Sequence, residues 1–442
     1  MHAGQALKSL TSLAVVSALL GSVPSTAPFD TELAGPGITT GGSWLAAAKG
    51  ADVHWTLRAL TSVTGSSSLL ALRWGDIQAT QPHLLPASSS RSGFVVLQAW
   101  EYPRIAEIRA TQPGVKILVY KNMTATYDYA SHDGVDDALL PAGVGYAWAR
   151  LHHPDWFLRD AAGAALQWSD YPGLWPMDVA NVDYQLQWLS NVAAESLGNG
   201  WDGVMVDDAL TRVSHFTVGG ATAWPTVTDQ SQFKATRAFL AKVGPGLQAR
   251  RLLVVPNASV TWSNYSDVYT GWAPYVDGWL FEYWAKWGPD SSYPVFLGAD
   301  VQLRLQMLET VQSTSKFLLP VTYAGRDDIP TQVYHRALFL LGWDGGESSS
   351  IFSTSETSTS QVLPAAQADL GAPAGPRYVL PGGVLRRDFS GGTVLLNPTG
   401  SAIEVRLEPG LSTSGGALPH RVSLGQASAM LIMTVVPAAR RA

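Results

Sequence analysis

Two stretches of the 442-residue sequence share one arrangement: Asp202-Gly203-Val204-Met205-Val206-Asp207 and Asp277-Gly278-Trp279-Leu280-Phe281-Glu282. Each reads Asp-Gly, three apolar residues, then a carboxylate. The apolar triplets have the make-up of short buried strands, so Asp207 and Glu282 would end their strands at the same offset. In a parallel barrel the carboxyl ends of the strands face one cleft. Two acids in such a cleft have a definite chemistry: one protonates a leaving oxygen while the other attacks or activates water, which is what breaking a glycosidic bond requires. Either acid could instead cap the helix that follows its strand, a role common for Asp and poor for Glu. Asp208 competes with Asp207. Strand alternation puts Asp207 on the face of Gly203 and Met205, and Asp208 on that of Val204 and Val206, the helix-facing pair. Asp207 is therefore the predicted partner of Glu282, and Asp208 a sugar-binding acid or a helix cap.

Other polar or aromatic residues fall at the ends of strand candidates and would contact a substrate if they converge: Arg73, Gln98, Tyr120, Lys121, Asn257, Trp284 and Tyr323. Each could equally satisfy loop backbone, and only a shared face gives them weight. Asp178 and Asn181 precede a helical pattern and read as caps. The adjacent His152 and His153 point in different directions and lack a third ligand at helical spacing, so no metal is expected there, and no organic cofactor is implied.

The elements that must position these residues are short apolar runs alternating with longer helical patterns, the signature of parallel βα units. The eight strand candidates are Leu69–Trp74, Phe94–Ala99, Lys116–Tyr120, Gly203–Asp207, Leu252–Pro256, Gly278–Glu282, Lys316–Val321 and Ser348–Ser353. Between them, Leu186, Leu189, Val192 and Ala193 would form one apolar helix face, and Phe233, Phe239, Leu240 and Val243 another. No GxGxxG or P-loop follows any strand, so the expected fold class is α/β, a (β/α)8 TIM barrel over residues 67–360 rather than a doubly wound sheet. A long insertion over residues 121–180 would sit at the catalytic face. From residue 370 to 442 the pattern turns to short alternating strands and Gly-rich turns, the expectation for a small C-terminal β-sandwich.

The remaining numbers exclude several functions. With 46% hydrophobic and 14% charged residues the chain can bury a large core, and a net charge of -6 without a basic stripe gives nucleic acid no footprint. No cysteine is present, which excludes disulfides and thiol catalysis. Lys8, the apolar run Leu10 to Val23 and the small residues after it have the order of a secretory signal over residues 1–27, with a Gly/Ser/Thr/Pro-rich linker to residue 66. A secreted monomer with no membrane span after signal removal is the expectation. The 17 tryptophans could stack on sugar rings, although for any one of them core filling is the commoner use.

The runs His153-Pro154-Asp155-Trp156-Phe157-Leu158-Arg159-Asp160, Trp175-Pro176-Met177-Asp178 and Gly203-Val204-Met205-Val206-Asp207-Asp208 resemble hypothetical glycosyl hydrolase family 15. The fourth-strand motif is similar, more distantly, to polygalactosaminidase-like and α-galactosidase-like barrels. The resemblance implies a glycoside hydrolase acting on an extracellular poly- or oligosaccharide, with Asp207 as nucleophile or base and Glu282 as acid. The seventh strand candidate ends Pro320-Val321-Thr322-Tyr323, unlike barrels that carry a nucleophilic Glu there. A barrel that binds glycan without cleaving it is the alternative. Asn257 at the end of the fifth candidate argues against a metal-dependent enolate chemistry, which would need a carboxylate there.

Overall fold

The computed structural model describes residues 93–111, 114–168, 172–213, 227–287, 292–324, 327–349, 351–353, 370–409, 411–413 and 416–434. Arg73, the first strand candidate, the leader and the linker lie outside the described residues.

A mixed α/β fold is built on one seven-stranded sheet. Its strands are β1 (Phe94–Leu97), β2 (Lys116–Asn122), β3 (Gly203–Leu210), β4 (Leu253–Ser259), β5 (Gly278–Phe281), β6 (Phe317–Tyr323) and β7 (Ile351–Ser353), lying side by side in chain order. Every neighbouring pair is parallel. The helices between them are α1 (Ile105–Thr111), α2 (Val182–Asn199), α3 (Asp229–Gln248), α4 (Tyr265–Gly271), α5 (Gly298–Ser313) and α6 (Ile329–Gly342). Seven of the eight expected strands are thus described, in the order the alternation of βα units demands.

Side-chain alternation divides the sheet into two faces. Val95, Leu97, Ile117, Val119, Val204, Val206, Val254, Trp279 and Leu318 pack outward against helices. Phe94, Val96, Leu118, Tyr120, Met205, Val255, Leu280, Phe317, Leu319 and Val321 form a separate inner cluster. The sheet curls around that cluster, since the rings of Phe94 on β1 and Phe317 on β6 meet with centroids 4.6 Å apart across it.

The Asp-Gly pairs explain themselves at the start of β3 and β5. Asp202 Oδ2 accepts from the Ile117 N–H at 2.9 Å, and Asp277 Oδ2 from the Val254 N–H at 2.9 Å, so each carboxylate ties its strand to the preceding one. The glycines are required by closeness: a Cβ on Gly203 would lie 2.5 Å from Leu253 Cβ, and one on Gly278 2.1 Å from the Phe317 ring. The first carboxylate of the repeat is structural and sits at the opposite end of the strand from the second.

Asn181 does cap α2, its side chain accepting from the N–H groups of Asp183 and Tyr184. The buried face of α2, however, is Tyr184, Gln185, Trp188, Val192, Ala193 and Ser196, while Leu186 is 46% exposed. Leucine hydrophobicity misled the assignment because the large aromatic rings, not the leucines, fill the gap to the sheet. On α3, Phe239, Leu240 and Val243 are buried as expected.

C-terminal to the helices, residues 370–434 form a six-stranded sheet and a two-stranded one, Ile403–Arg406 with Arg421–Leu424. Leu395 and Ile432 of the larger sheet pack on Val405, Val422 and Leu424 of the smaller. The other face of the larger sheet joins the helices of the parallel sheet: Arg387 Nη1 donates to the carbonyls of Leu340, Leu341 and Trp343 at 3.0, 3.2 and 2.5 Å, satisfying the end of α6. Among the described residues no helix is long and apolar enough to cross a membrane.

Candidate active site

The inner face of the sheet is apolar through its lower layers and becomes polar at the carboxyl ends of the strands. Continuing each alternation by one step places Gln98, Asn122, Asp207, Asn257, Glu282 and Tyr323 above the inner cluster, with Tyr120 one layer beneath Asn122. Asn122 pairs with Asp207 across β2 and β3, and Asn257 of β4 pairs with Leu280 of β5, two residues before Glu282.

The hydrogen bonds converge on the acids. Tyr120 donates its hydroxyl to Asp207 Oδ2 at 2.7 Å, and the Asn257 amide donates to Asp207 Oδ1 at 3.0 Å. The Tyr323 hydroxyl donates to Glu282 Oε1. Tyr127, from the strand Ala125–Tyr127 in the insertion after β2, brings its hydroxyl to 3.3 Å from that of Tyr120. Burial pushes all three tyrosine hydroxyls above their ordinary pKa, reinforced by the neighbouring carboxylates, so they stay protonated and can donate.

Asp208 departs from the simple alternation. The pairing of β3 with β4 shifts between Val206 and Ala209, and Asp208 adopts φ 55°. This irregularity re-aims a side chain that a regular strand would send toward the helices. The Asp208 carboxylate instead accepts from Asn122 Nδ2 at 2.6 Å, while Asn122 Oδ1 accepts from the N–H groups of Thr124 and Ala125. Glu282 is likewise followed by a left-handed residue, Tyr283, at φ 62°. Non-glycine residues in this region cost roughly 1–3 kcal/mol each. The two acidic strand ends share that strain as well as their sequence pattern.

Electrostatics separates the acids. Burial raises Asp207 to about 6, with Tyr120, Asn257 and the Asp208 backbone pulling in the other direction. Burial and then the Asp207 charge push Glu282 well above the ordinary carboxylate range, opposed by Tyr323 and Asn257. Asp208 is raised well above it too, by burial and then by Asp207. Asp207 is thus the acid whose ionised form is best supplied with donors.

Two expected substrate contacts lie elsewhere. Lys121 points to the helix side, its ammonium buried between Glu195 Oε2 of α2 at 2.7 Å and the Leu140 carbonyl at 2.5 Å. Its neighbour Tyr120 occupies the inner face, and alternation cannot put both there. Trp284 is fully buried among residues of the outer layer, its carbonyl accepting from Arg304 Nε at 3.1 Å. The left-handed turn at Tyr283 carries the chain out of the strand and takes Trp284 with it. Asn122 and Tyr127 were not among the expected site residues. Asn122 had a signal, being in phase with Tyr120 on β2, whereas Tyr127 reaches the acids through the path of the insertion. His153 stacks on Trp156 with centroids 3.9 Å apart, and among the described residues no acidic or histidine cluster could hold a metal ion.

Neither of two pockets among the described residues is lined by Asp207 or Glu282. One of about 330 Å³ is lined by Asp155, Phe157, Arg159, Asp178, Ser231 and Gln232, and another of about 270 Å³ by Trp100, Tyr129, Asp137 and Leu139.

Three solved structures align with the chain at low identity. An α-amylase from Lactobacillus plantarum aligns at 12% identity and a TM-score of 0.43, over 76% of this chain and 81% of the other. A GH36 α-galactosidase from Geobacillus stearothermophilus aligns at 10% identity and 0.38, over 76% and 46%. A protein of Aspergillus fumigatus, solved in complex with galactosamine, aligns at 11% identity and 0.32, over 53% and 70%. No curated protein matches the sequence. A family sequence model, by contrast, matches residues 109–393, a span that begins in α1 and takes in both acidic strand ends. The chain belongs to hypothetical glycosyl hydrolase family 15.

Proposed function

We propose that this protein is a secreted glycoside hydrolase that cleaves O-glycosidic bonds of an extracellular poly- or oligosaccharide with Asp207 and Glu282. The observation that carries the reading is the unequal environment of two acids on one strand-end face, Asp207 buried and Glu282 half-buried. Asp207 accepts from Tyr120 and Asn257 and suits the ionised role, attack on the anomeric carbon or activation of water. Glu282, raised further, suits the protonated role and delivers its proton to the leaving oxygen. Asp208, Asn122 and Gln98 surround the pair as hydrogen-bonding groups for sugar hydroxyls. No cofactor enters this chemistry. The leader with Lys8 and Leu10–Val23 supports export, and a monomer acting on glycan is the form proposed.

The test is cleavage of a polysaccharide panel followed by reducing-end assay. Glu282→Gln is expected to lower turnover about 10²–10⁴-fold, the usual worth of a general acid, and Asp207→Asn at least as much. Glycan binding by the wild type with no product across the pH range would instead make the barrel a non-catalytic binder.

A further inference from the structure

We propose that the pocket between Trp100, Tyr129, Leu139 and Asp137 binds a second sugar unit of the same glycan, beside the unit held at Asp207 and Glu282. The proposal rests on the hydrolase reading and adds to it where a second unit of the substrate is held, on the β1–β2 side of the strand ends.

Chemistry, position and rigidity all point this way. The pocket holds about 270 Å³ and opens between two aromatic side chains, Trp100 and Tyr129, with the exposed carboxylate of Asp137 at its edge. Ring C–H groups of a pyranose pack on aromatic faces while its hydroxyls seek acceptors, so an aromatic pocket with one carboxylate fits a sugar better than a purely apolar ligand.

Two of its walls lie near the acids. Trp100 follows Gln98 by two residues at the carboxyl end of β1, the end at which Asp207 and Glu282 sit. On the other wall the Tyr129 ring lies 5.3 Å from that of Tyr127, whose hydroxyl is 3.3 Å from Tyr120, the donor to Asp207. Tyr129 is thus two buried side chains, Tyr127 and Tyr120, away from Asp207. On the inner face Gln98 Nε2 is buried and has no hydrogen-bond partner among the described residues, a donor open to a ligand.

The pocket is also built rather than incidental. Asn122 N–H donates to the Pro141 carbonyl at 2.8 Å, and Asn122 is the residue that holds Asp208. Lys121 donates to the Leu140 carbonyl from beneath, so the Leu139–Pro141 wall is fastened to β2 at the two residues before the chain enters the insertion. Tyr129 lies flush against Gly173, where a Cβ would come within 2.9 Å of its ring. The Glu101 carboxylate accepts from the Gln98 N–H at 2.9 Å and fixes the turn that presents Trp100.

The experiment measures binding in the Asp207→Asn background by ligand-observed NMR. The probes are chain-length series of α-glucan, galactosaminan and β-glucan oligomers, each from the monosaccharide upward. Affinity is expected to rise with length in at least one series. Trp100→Ala should remove about tenfold of that rise while leaving monosaccharide affinity unchanged, and Trp100→Phe should restore most of it. Loss of monosaccharide and oligomer affinity together, a length dependence untouched by Trp100→Ala, or no gain with length in any series would overturn the proposal. Failure of the hydrolase reading looks different: wild-type protein would bind the oligomers with the same Trp100 dependence and release no product.

Discussion

Tyr120 and Asp207 are joined by a 2.7 Å hydrogen bond from phenol to carboxylate, wholly buried beneath the strand ends. The bond favours the ionised acid and works against the burial that raises it to about 6. Tyr120→Phe removes the donor and leaves the burial, so the acid limb of the pH–rate profile, expected near 6 in the wild type, should move to higher pH. Turnover should fall more at pH 5 than at pH 7.5, which a pH series on one substrate reads directly. An unchanged limb would mean that Asp207 is not the group that must ionise.

Tyr323 acts on the other acid in the same sense. Its hydroxyl donates to Glu282 and lowers a pKa that burial has raised. In Tyr323→Phe the Glu282 pKa rises further, so the proton is retained longer and the alkaline limb should shift upward. Opposite limbs responding to Tyr120→Phe and Tyr323→Phe would separate the two roles kinetically.

Stability should run against function at these acids. An acid whose folded pKa is raised binds more protons folded than unfolded, so stability falls as pH rises from the unfolded value through the folded one. For Asp207 the window runs from about 3.9 unfolded to about 6. The loss above it is on the order of 3 kcal/mol for a fully buried group. Asp207→Asn should therefore raise the melting temperature at pH 7.5 by several degrees and change it little at pH 4, as scanning calorimetry at both pH values would show.

Removing the first carboxylate of the repeat should destabilise the fold. Asp202 bonds the Ile117 N–H and Arg109 at the far end of β3. Asp202→Ala is expected to cost about 1–3 kcal/mol and to leave both limbs of the pH profile where they are. A shifted limb would argue that the two ends of β3 are coupled.

Gly278→Ala tests the packing beneath the site. The added methyl would meet the Phe317 ring at 2.1 Å, and Phe317 in turn packs on Phe94 across the barrel interior. Overpacking of this kind costs about 1–3 kcal/mol, measurable by chemical denaturation, and a neutral result would mean that the inner layer has room the contact distances deny.

The sequence by itself determined the order of the strands, because burial on both faces of a parallel sheet writes itself as short apolar runs, and those runs alternate with helical periods. It also determined the phase of Asp207, since a period of two carries the position of Gly203 and Met205 forward without knowledge of neighbours. The partners of Asp207 and Glu282 were half legible: Asn257 and Tyr323 stand at strand ends, but nothing local says which acid each will meet. Only the tertiary structure decided the rest. A shift in the pairing of β3 and β4 turns Asp208 back toward Asn122, and a left-handed Tyr283 sends Trp284 into the helix layer. Lys121 goes outward because α2 brings Glu195 to it, and Tyr127 reaches Tyr120 because an insertion folds back over the strand ends. Each of these depends on backbone irregularity or on contacts between distant segments, for which periodicity carries no signal. The Asp-Gly-x-x-x-acid repeat spans both kinds of knowledge. Its existence could be read off the chain, whereas the division between a first carboxylate that ties strands together and a second one gathered on the inner face became visible only when the two ends of each strand were seen in place.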